Sequence, residues 1–147
     1  MIGRRLFQRL APDNTGTTLV EFALISPLLI VLLGGVLQVG LMLQNYNAVR
    51  HVSADVSRYA MVQFATSNNK LTNDDLTNYA TSVAQSAPYL LNGTMAIRIA
   101  DEATPAVTGL TEKTLTITYQ IPSVLSTMGL SGPVITYTQP LFLTTGT

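Results

Sequence analysis

The sequence predicts an α+β protein with a long N-terminal transmembrane helix extended as a stalk, a second short helix and a small antiparallel β-sheet head. Three observations support this class. No charged residue occurs between Glu21 and Arg50. Apolar residues then recur at helical spacing up to about residue 65. After residue 94 the apolar residues alternate with polar ones, which is typical of strands with one buried face.

The uncharged stretch contains an apolar run of 22 residues, Phe22 to Leu43. As a helix rising 1.5 Å per residue it spans roughly 33 Å, which is enough for a hydrocarbon core of about 30 Å. Three arginines precede the run within nine residues of the N-terminus: Arg4, Arg5 and Arg9. This basic flank predicts that the N-terminus lies in the cytoplasm. A buried helix of a soluble protein is the alternative, but only 11% of the residues are charged and could form its solvated shell.

Beyond the apolar run the helix is expected to continue to about Ala65, with one apolar stripe made of Val49, Val52, Val56, Tyr59, Ala60 and Phe64. On its polar side Asp55 and Arg58 are spaced to form an ion pair. A second helix is predicted after the N-cap residue Thr72 and ends before Pro88. Three strands are predicted over residues 95–100, 113–121 and 134–143, with turn signals at Asn92-Gly93 and at Ser131-Gly132-Pro133.

Composition excludes several classes of function. With 147 residues the chain has room for about one domain. Its eight basic and eight acidic residues balance, so no basic surface for nucleic acid is expected. It has no cysteine and a single histidine, His51, which shares no helix face with Ser53 and so forms no triad. We therefore expect no catalytic residue, metal or cofactor, and no enzymatic activity.

A carboxylate, Glu21, stands at the start of the apolar helix, five residues after Gly16. One role for it is to complement the positive N-terminal end of that helix. The pattern Gly-x-x-x-x-Glu-Phe, ending at Phe22 behind a basic leader, also resembles the class III leader of type IV pilins and pseudopilins. The resemblance implies that a membrane aspartyl prepilin peptidase cuts after Gly16, where glycine offers an extended and unhindered backbone. Thr17 then becomes the first residue, and Glu21 can neutralise the new amine of a neighbouring subunit.

The resemblance extends beyond the leader. Val20-Glu21-Phe22-Ala23-Leu24, followed by Pro27 and an apolar run reaching Gly40, is similar to the TadE-like minor pilins of the Tad (tight adherence) pilus system. Leu115 to Tyr119, with Pro122 close behind, also resembles the final strand region of that family. The resemblance implies residues 1–16 as a cytoplasmic leader, 17–43 as the transmembrane helix and 44–147 as an extracytoplasmic stalk and head. Pro27 is expected to kink the helix.

The resemblance implies a processed minor pilin or pseudopilin that takes part in Tad-type pilus biogenesis and so in adhesion and surface attachment. Its partners would be the prepilin peptidase, other pilin subunits, the inner-membrane assembly platform and the lipid bilayer. It would cross the inner membrane once, with the head in the periplasm or outside the cell, and would be available for incorporation into a pilus. An uncleaved single-pass anchor carrying a binding or adaptor module is the alternative.

The last 34 positions, Thr114 to Thr147, contain no charged residue. Uncharged strands with exposed edges tend to aggregate unless something covers them. One interpretation is that the stalk helix or another subunit covers part of this sheet, with the apolar loop residues Val124, Leu125, Met128 and Leu130 as the contact tip. The other is that the nine threonines of this stretch solvate its outer face.

Overall fold

The computed structural model describes residues 15–66, 71–107 and 109–144. Helix α1 is Thr15–Thr66 and helix α2 is Asn73–Gln85. Strands β1, β2 and β3 are Met95–Asp101, Leu110–Gln120 and Val134–Thr144, and a short 3-10 turn, Ser126–Met128, precedes β3. The predicted α+β class and the order of its elements are confirmed. Residues 1–14 of the predicted leader and residues 67–70 after α1 lie outside the described residues.

The chain separates into two compact units, one ending at Leu37 and the other beginning at Gln38. The described part of the first unit is the helical segment of α1 from Thr15 to Leu37. Its large apolar side chains are exposed, among them Leu24 at 75% and Val36 at 73%. Helix α1 is long and apolar enough to cross a membrane, and 6% of its most apolar segment is buried. From Thr15 to Leu37 this unit therefore contributes no residue to a buried core.

The second unit has one apolar core, to which both helices and the sheet contribute. From α1 come the predicted stripe residues Val49, Val52, Val56, Ala60 and Phe64, all buried, and α2 adds Leu76, Ala80 and Ala84. The helical spacing of these residues puts them on one face of each helix. The stripe predicted from the sequence is therefore confirmed, with Tyr59 partly buried at its edge against Tyr79.

The three strands form an antiparallel sheet in the order β1-β2-β3. In the central strand Leu115, Ile117 and Tyr119 face the core, and the alternate threonines Thr114, Thr116 and Thr118 are half-buried on the other face. Thr116 lies opposite Thr138, and their hydroxyl oxygens are 3.4 Å apart. The outer face of the sheet is therefore solvated by threonine, and the inner face belongs to the same core as α1 and α2.

Polar contacts fix α2 and the sheet in place. Thr72 caps α2: its hydroxyl accepts from the Asp75 N–H, and the Asp75 carboxylate accepts from the Thr72 N–H. The hydrogen bond that the Thr72 hydroxyl donates to the Asp75 carboxylate over 2.6 Å, together with the one from the Thr72 N–H, lowers the pKa of Asp75. The first residue of α2, Asn73, donates to Asp101 at the end of β1 over 2.9 Å. On the inner face, Ser53 of α1 donates to the Gln139 side chain of β3 over 2.6 Å.

Candidate functional site

Gly16 and Thr17 lie in the first turn of α1, which begins at Thr15. The Gly16–Thr17 peptide bond is thus helical and not extended. No proline occurs between Pro12 and Pro27, so nothing stops the helix from extending back to Thr15. Because the first four N–H groups of a helix lack intrahelical partners, this turn opens more easily than the rest. A protease acting here would have to unwind it.

Gly16 is not required by packing. A β-carbon built on Gly16 would meet no atom within 4 Å among its neighbours in the structure. Glycine in a helix also costs about 1 kcal/mol relative to alanine. The described fold would therefore accept a larger and more helix-favouring residue at this position.

Glu21 is exposed on α1 and makes no ion pair with any residue that the structure describes. Phe22 beside it is 66% exposed. Because α1 begins at Thr15, Glu21 lies beyond the first helical turn, where the field of the helix end has largely fallen off. Complementing the helix N-terminus is thus a weak explanation for this carboxylate. Its charge remains available to a group outside the described chain.

Helix α1 continues through Pro27. Proline cannot donate the backbone hydrogen bond that the Ala23 carbonyl would normally accept. The Ser26 hydroxyl lies 3.4 Å from that carbonyl oxygen and donates to it instead. In an apolar environment such a substitute partner lowers the cost of proline within a helix. A kink at Pro27 stays a prediction.

The connection between β2 and β3, residues 121–133, is an ordered loop that we call the β2–β3 loop. The Ile121 N–H donates to the Pro133 carbonyl over 3.0 Å at its base. At its tip Gly129 has φ +78°, a left-handed conformation that favours glycine, and its N–H donates to the Ser126 carbonyl. Gly132 packs so tightly on the Ile121 carbonyl that no side chain would fit there. These hydrogen bonds and the close packing of Gly132 therefore give the loop a defined conformation.

Of the four residues predicted as a contact tip, Val124 and Leu130 are exposed, at 47% and 51%, and Leu125 is half-buried. The side chain of Met128 lies outside the described part of the chain. The loop contacts α1 at Gln38: the side-chain oxygen of Gln38, Oε1, accepts from the Val124 N–H over 3.0 Å. The Gln38 amide nitrogen is 3.4 Å from the Pro122 carbonyl oxygen and donates to it. Sequence reasoning missed this contact, although a lone amide in an apolar run is a signal that it needs a partner.

His51 and Ser53, the two side chains considered for a triad, do not converge. His51 stacks on Tyr89, with ring centroids 6.4 Å apart, while Ser53 is buried and donates to Gln139. Asp55 accepts from the Tyr89 hydroxyl over 2.7 Å, which raises the pKa of Tyr89. The predicted Asp55–Arg58 ion pair is wrong. The Asp55 carboxylate instead accepts a hydrogen bond from Tyr89, 34 residues away in the sequence. Within the described ranges, no three His, Cys, Asp or Glu side chains gather where they could hold a metal ion.

One buried charge was also missed. Lys113 of β2 is 6% exposed, and its ammonium group contacts the Asp101 carboxylate and donates to the Asn73 side-chain oxygen over 2.6 Å. The hydrogen bonds from Lys113 and Asn73 lower the pKa of Asp101. The cluster joins the N-terminus of α2 to β1 and β2 and is a structural link.

Comparison with known families identifies one segment of the chain. Residues 16–58 match the model of a family described as TadE-like protein. No curated protein and no solved structure matches the chain. The match confirms the resemblance found at the N-terminus. It begins at Gly16 and ends within the buried stripe of α1, so the predicted resemblance of Leu115 to Tyr119 lies outside the matched residues.

Proposed function

We propose that the chain is a processed minor pilin or pseudopilin that takes part in assembling a Tad-type pilus. The observation that carries this proposal is the TadE-like match over residues 16–58, which coincides with a helix whose apolar side chains are exposed from Leu19 to Leu37. That surface needs lipid or other apolar helices around it, because exposed apolar area of this size is unstable in water. A single-pass membrane anchor that later packs against other pilin helices meets both needs.

Processing is the first part of the proposal. Prepilin peptidase cuts between Gly16 and Thr17 on the cytoplasmic side, where Arg4, Arg5 and Arg9 hold the leader. The fold itself does not require glycine at position 16, which fits a requirement set by the peptidase. The product, Thr17 to Thr147, has 131 residues, with five basic and seven acidic side chains and a net charge of −2.

Assembly is the second part. The inner-membrane platform and other pilin subunits receive the processed helix, and Glu21 pairs with the amine of a neighbouring Thr17. Two charges that are each costly in an apolar environment become tolerable as a pair. The exposed and unpaired state of Glu21 in the described chain supports a partner from another molecule. In this role the chain is a structural subunit of the inner membrane and the pilus and not an enzyme.

The test is the intact mass of the membrane-inserted chain in cells with and without the peptidase. When the peptidase is present, we expect the mass of a chain that begins at Thr17. When it is absent, we expect the mass of a chain that begins at Met1. Gly16→Arg should retain the leader, whereas Asn14→Arg, which adds the same charge two residues upstream, should still be processed. A wild-type chain that keeps Met1 beside an active peptidase would leave the alternative, an uncleaved anchor carrying a binding or adaptor module.

A further inference from the structure

The β2–β3 loop contacts α1 inside the predicted transmembrane segment and not above it. Gln38 lies five residues before Leu43, where the apolar run ends. Both polar groups of its side chain bond the loop backbone, at Val124 over 3.0 Å and at Pro122 over 3.4 Å. The position of Gln38 along the helix therefore sets the level of this contact within the predicted span.

That level follows from helix geometry and rests on the membrane anchor of the proposed function. About 20 helical residues cross a hydrocarbon core of about 30 Å, so a span that starts at Phe22 reaches its far boundary near Leu41. Gln38 lies three residues before that boundary, or about 4.5 Å toward the bilayer centre. The loop segment from Pro122 to Val124 is hydrogen-bonded at this depth. We call the leaflet at this end of the span the head-side leaflet.

The chemistry of the loop fits lipid. It lies in the uncharged stretch from Thr114 to Thr147. Val124 and Leu130 are exposed in the protein, as are Val134 just after the loop and Leu90, which lines a cavity of about 410 Å³ beside Leu41 and Pro122. Apolar side chains clustered where a helix leaves the membrane gain from burial in the leaflet.

The backbone of the loop is also prepared for an environment with little water. The Leu125 N–H donates to the Ser123 hydroxyl over 3.1 Å, and the Leu130 N–H donates to the Leu125 carbonyl over 3.4 Å. The Val124 N–H bonds to Gln38, and the Ile121 N–H bonds to Pro133. Polar backbone groups near hydrocarbon need such partners, because an unpaired one is costly there.

We propose that the β2–β3 loop dips into the head-side leaflet and forms a second lipid contact, with Val124 and Leu130 in the acyl region and Gln38 as the side chain that holds the loop there. The occupant of this surface is the lipid bilayer. The continuity of the loop with the membrane span through Gln38, and its lack of charge, favour lipid over a protein partner as the occupant in the unassembled subunit.

The chain has no cysteine, so single cysteines can report the depth of chosen positions. The full chain carrying Val124→Cys or Leu130→Cys is labelled with a fluorophore and reconstituted into phosphatidylcholine–phosphatidylglycerol vesicles containing lipids with a quencher at a shallow or a deep acyl position. Leu29→Cys, in the middle of the span, and Thr138→Cys, on the exposed outer face of the sheet, are the two references. We expect the loop labels to be quenched at least threefold more by shallow-quencher lipids than the Thr138 label, and the Leu29 label to respond most to the deep quencher.

The references separate the two proposals. A Leu29 label outside lipid would overturn the membrane anchor itself, whereas a lipid-buried Leu29 label with loop labels as aqueous as Thr138 would overturn only the loop insertion. Loop quenching that disappears when the chain is diluted below one copy per vesicle would assign the loop to a neighbouring copy and also refute the proposal. As a variant pair, Gln38→Leu should release the loop and lower its quenching, while Gln44→Leu, outside the predicted apolar run, should not.

Discussion

Among single residues, Glu21 and Gln38 are both polar side chains on an apolar helix, but they differ in their partners within the chain. Gln38 has both of its polar groups bonded within the chain, to the β2–β3 loop. Glu21 is exposed and has no ion-pair partner among the described residues. The internal partner of Gln38 makes it a structural residue, whereas Glu21 is the one that another molecule can use.

Replacing Glu21 by glutamine tests that distinction. Glu21→Gln keeps the shape of the side chain and removes its charge, so insertion and processing should be unchanged. Leaving a neighbour's amine without its partner in an apolar bundle costs about 3 kcal/mol, or about a hundredfold in an association constant. We expect the amount of pili sheared from cells carrying Glu21→Gln to be at least tenfold lower than from wild-type cells. Glu102→Gln, an exposed charge removal in the head, is the control and should assemble normally. Equal pilus yield from the two variants would leave Glu21 without an assembly role.

The cluster that buried Lys113 forms with Asp101 and Asn73 predicts how stability depends on pH. The pKa of Asp101 is lowered by its hydrogen bonds from Lys113 and Asn73, below the ordinary value of 3.8. A carboxyl whose pKa is lower in the folded than in the unfolded state stabilises the fold above the unfolded value, and that contribution is lost as the pH falls through the folded pKa. The wild-type thermal midpoint should therefore fall on acidification below about pH 4.

Lys113→Met keeps most of the buried stem of the side chain and removes its charge. The thermal midpoint of this variant, followed by circular dichroism in detergent micelles from pH 7 to pH 3, should show a weaker acid dependence than that of the wild type. Asp75 is capped by Thr72 in both proteins and should contribute equally to their acid dependence. Arg98→Met, which removes an exposed charge on β1, is the matched control and should keep the wild-type slope. Identical slopes for Lys113→Met and wild type would contradict the assigned role of the ion pair.

At the scale of elements, α1 is one helix with two environments. From Leu19 to Leu37 its large apolar side chains are exposed, and from Val49 to Phe64 one stripe of it is buried in the core of the second unit. The sequence reveals this change, because the apolar residues surround the helix in the first part and follow helical spacing in the second. The TadE-like match, residues 16–58, includes both parts. The family signature therefore describes the helix and not the sheet.

The elements could be predicted from the sequence to within a few residues because burial dictates their periodicity. The central strand was predicted over 113–121 and is Leu110–Gln120, and α2 has the predicted cap at Thr72. Contacts between distant residues could not be predicted in this way. Asp55 is hydrogen-bonded to Tyr89 and not paired with its helical neighbour Arg58. Gln38 is hydrogen-bonded to residues that lie 84 and 86 positions further along the chain. Such pairs depend on the tertiary fold, which local spacing does not encode.

Across the whole molecule, the uncharged C-terminal stretch shows features of both interpretations that the sequence left open. Threonines such as Thr116 and Thr138 solvate the outer face of the sheet, as one interpretation expected. The inner face shares its core with α1, as the other expected. Strand β3 is an uncharged edge strand that contains Pro140. Proline has no backbone N–H to donate to a further strand, so it is tolerated at an edge and hinders the addition of another strand. The sheet therefore needs no second subunit to bury its core face.

If this chain takes part in assembling a Tad-type pilus, as we propose, cells that lack it should display far fewer pili. Pili are sheared from the deletion strain and from the same strain carrying the wild-type chain, and the major pilin in the sheared fraction is quantified against its cellular pool. We predict that the deletion lowers the sheared pilin at least tenfold with the pool unchanged, and that the wild-type chain restores it. Undiminished piliation of the deletion strain would refute the proposed role in pilus assembly.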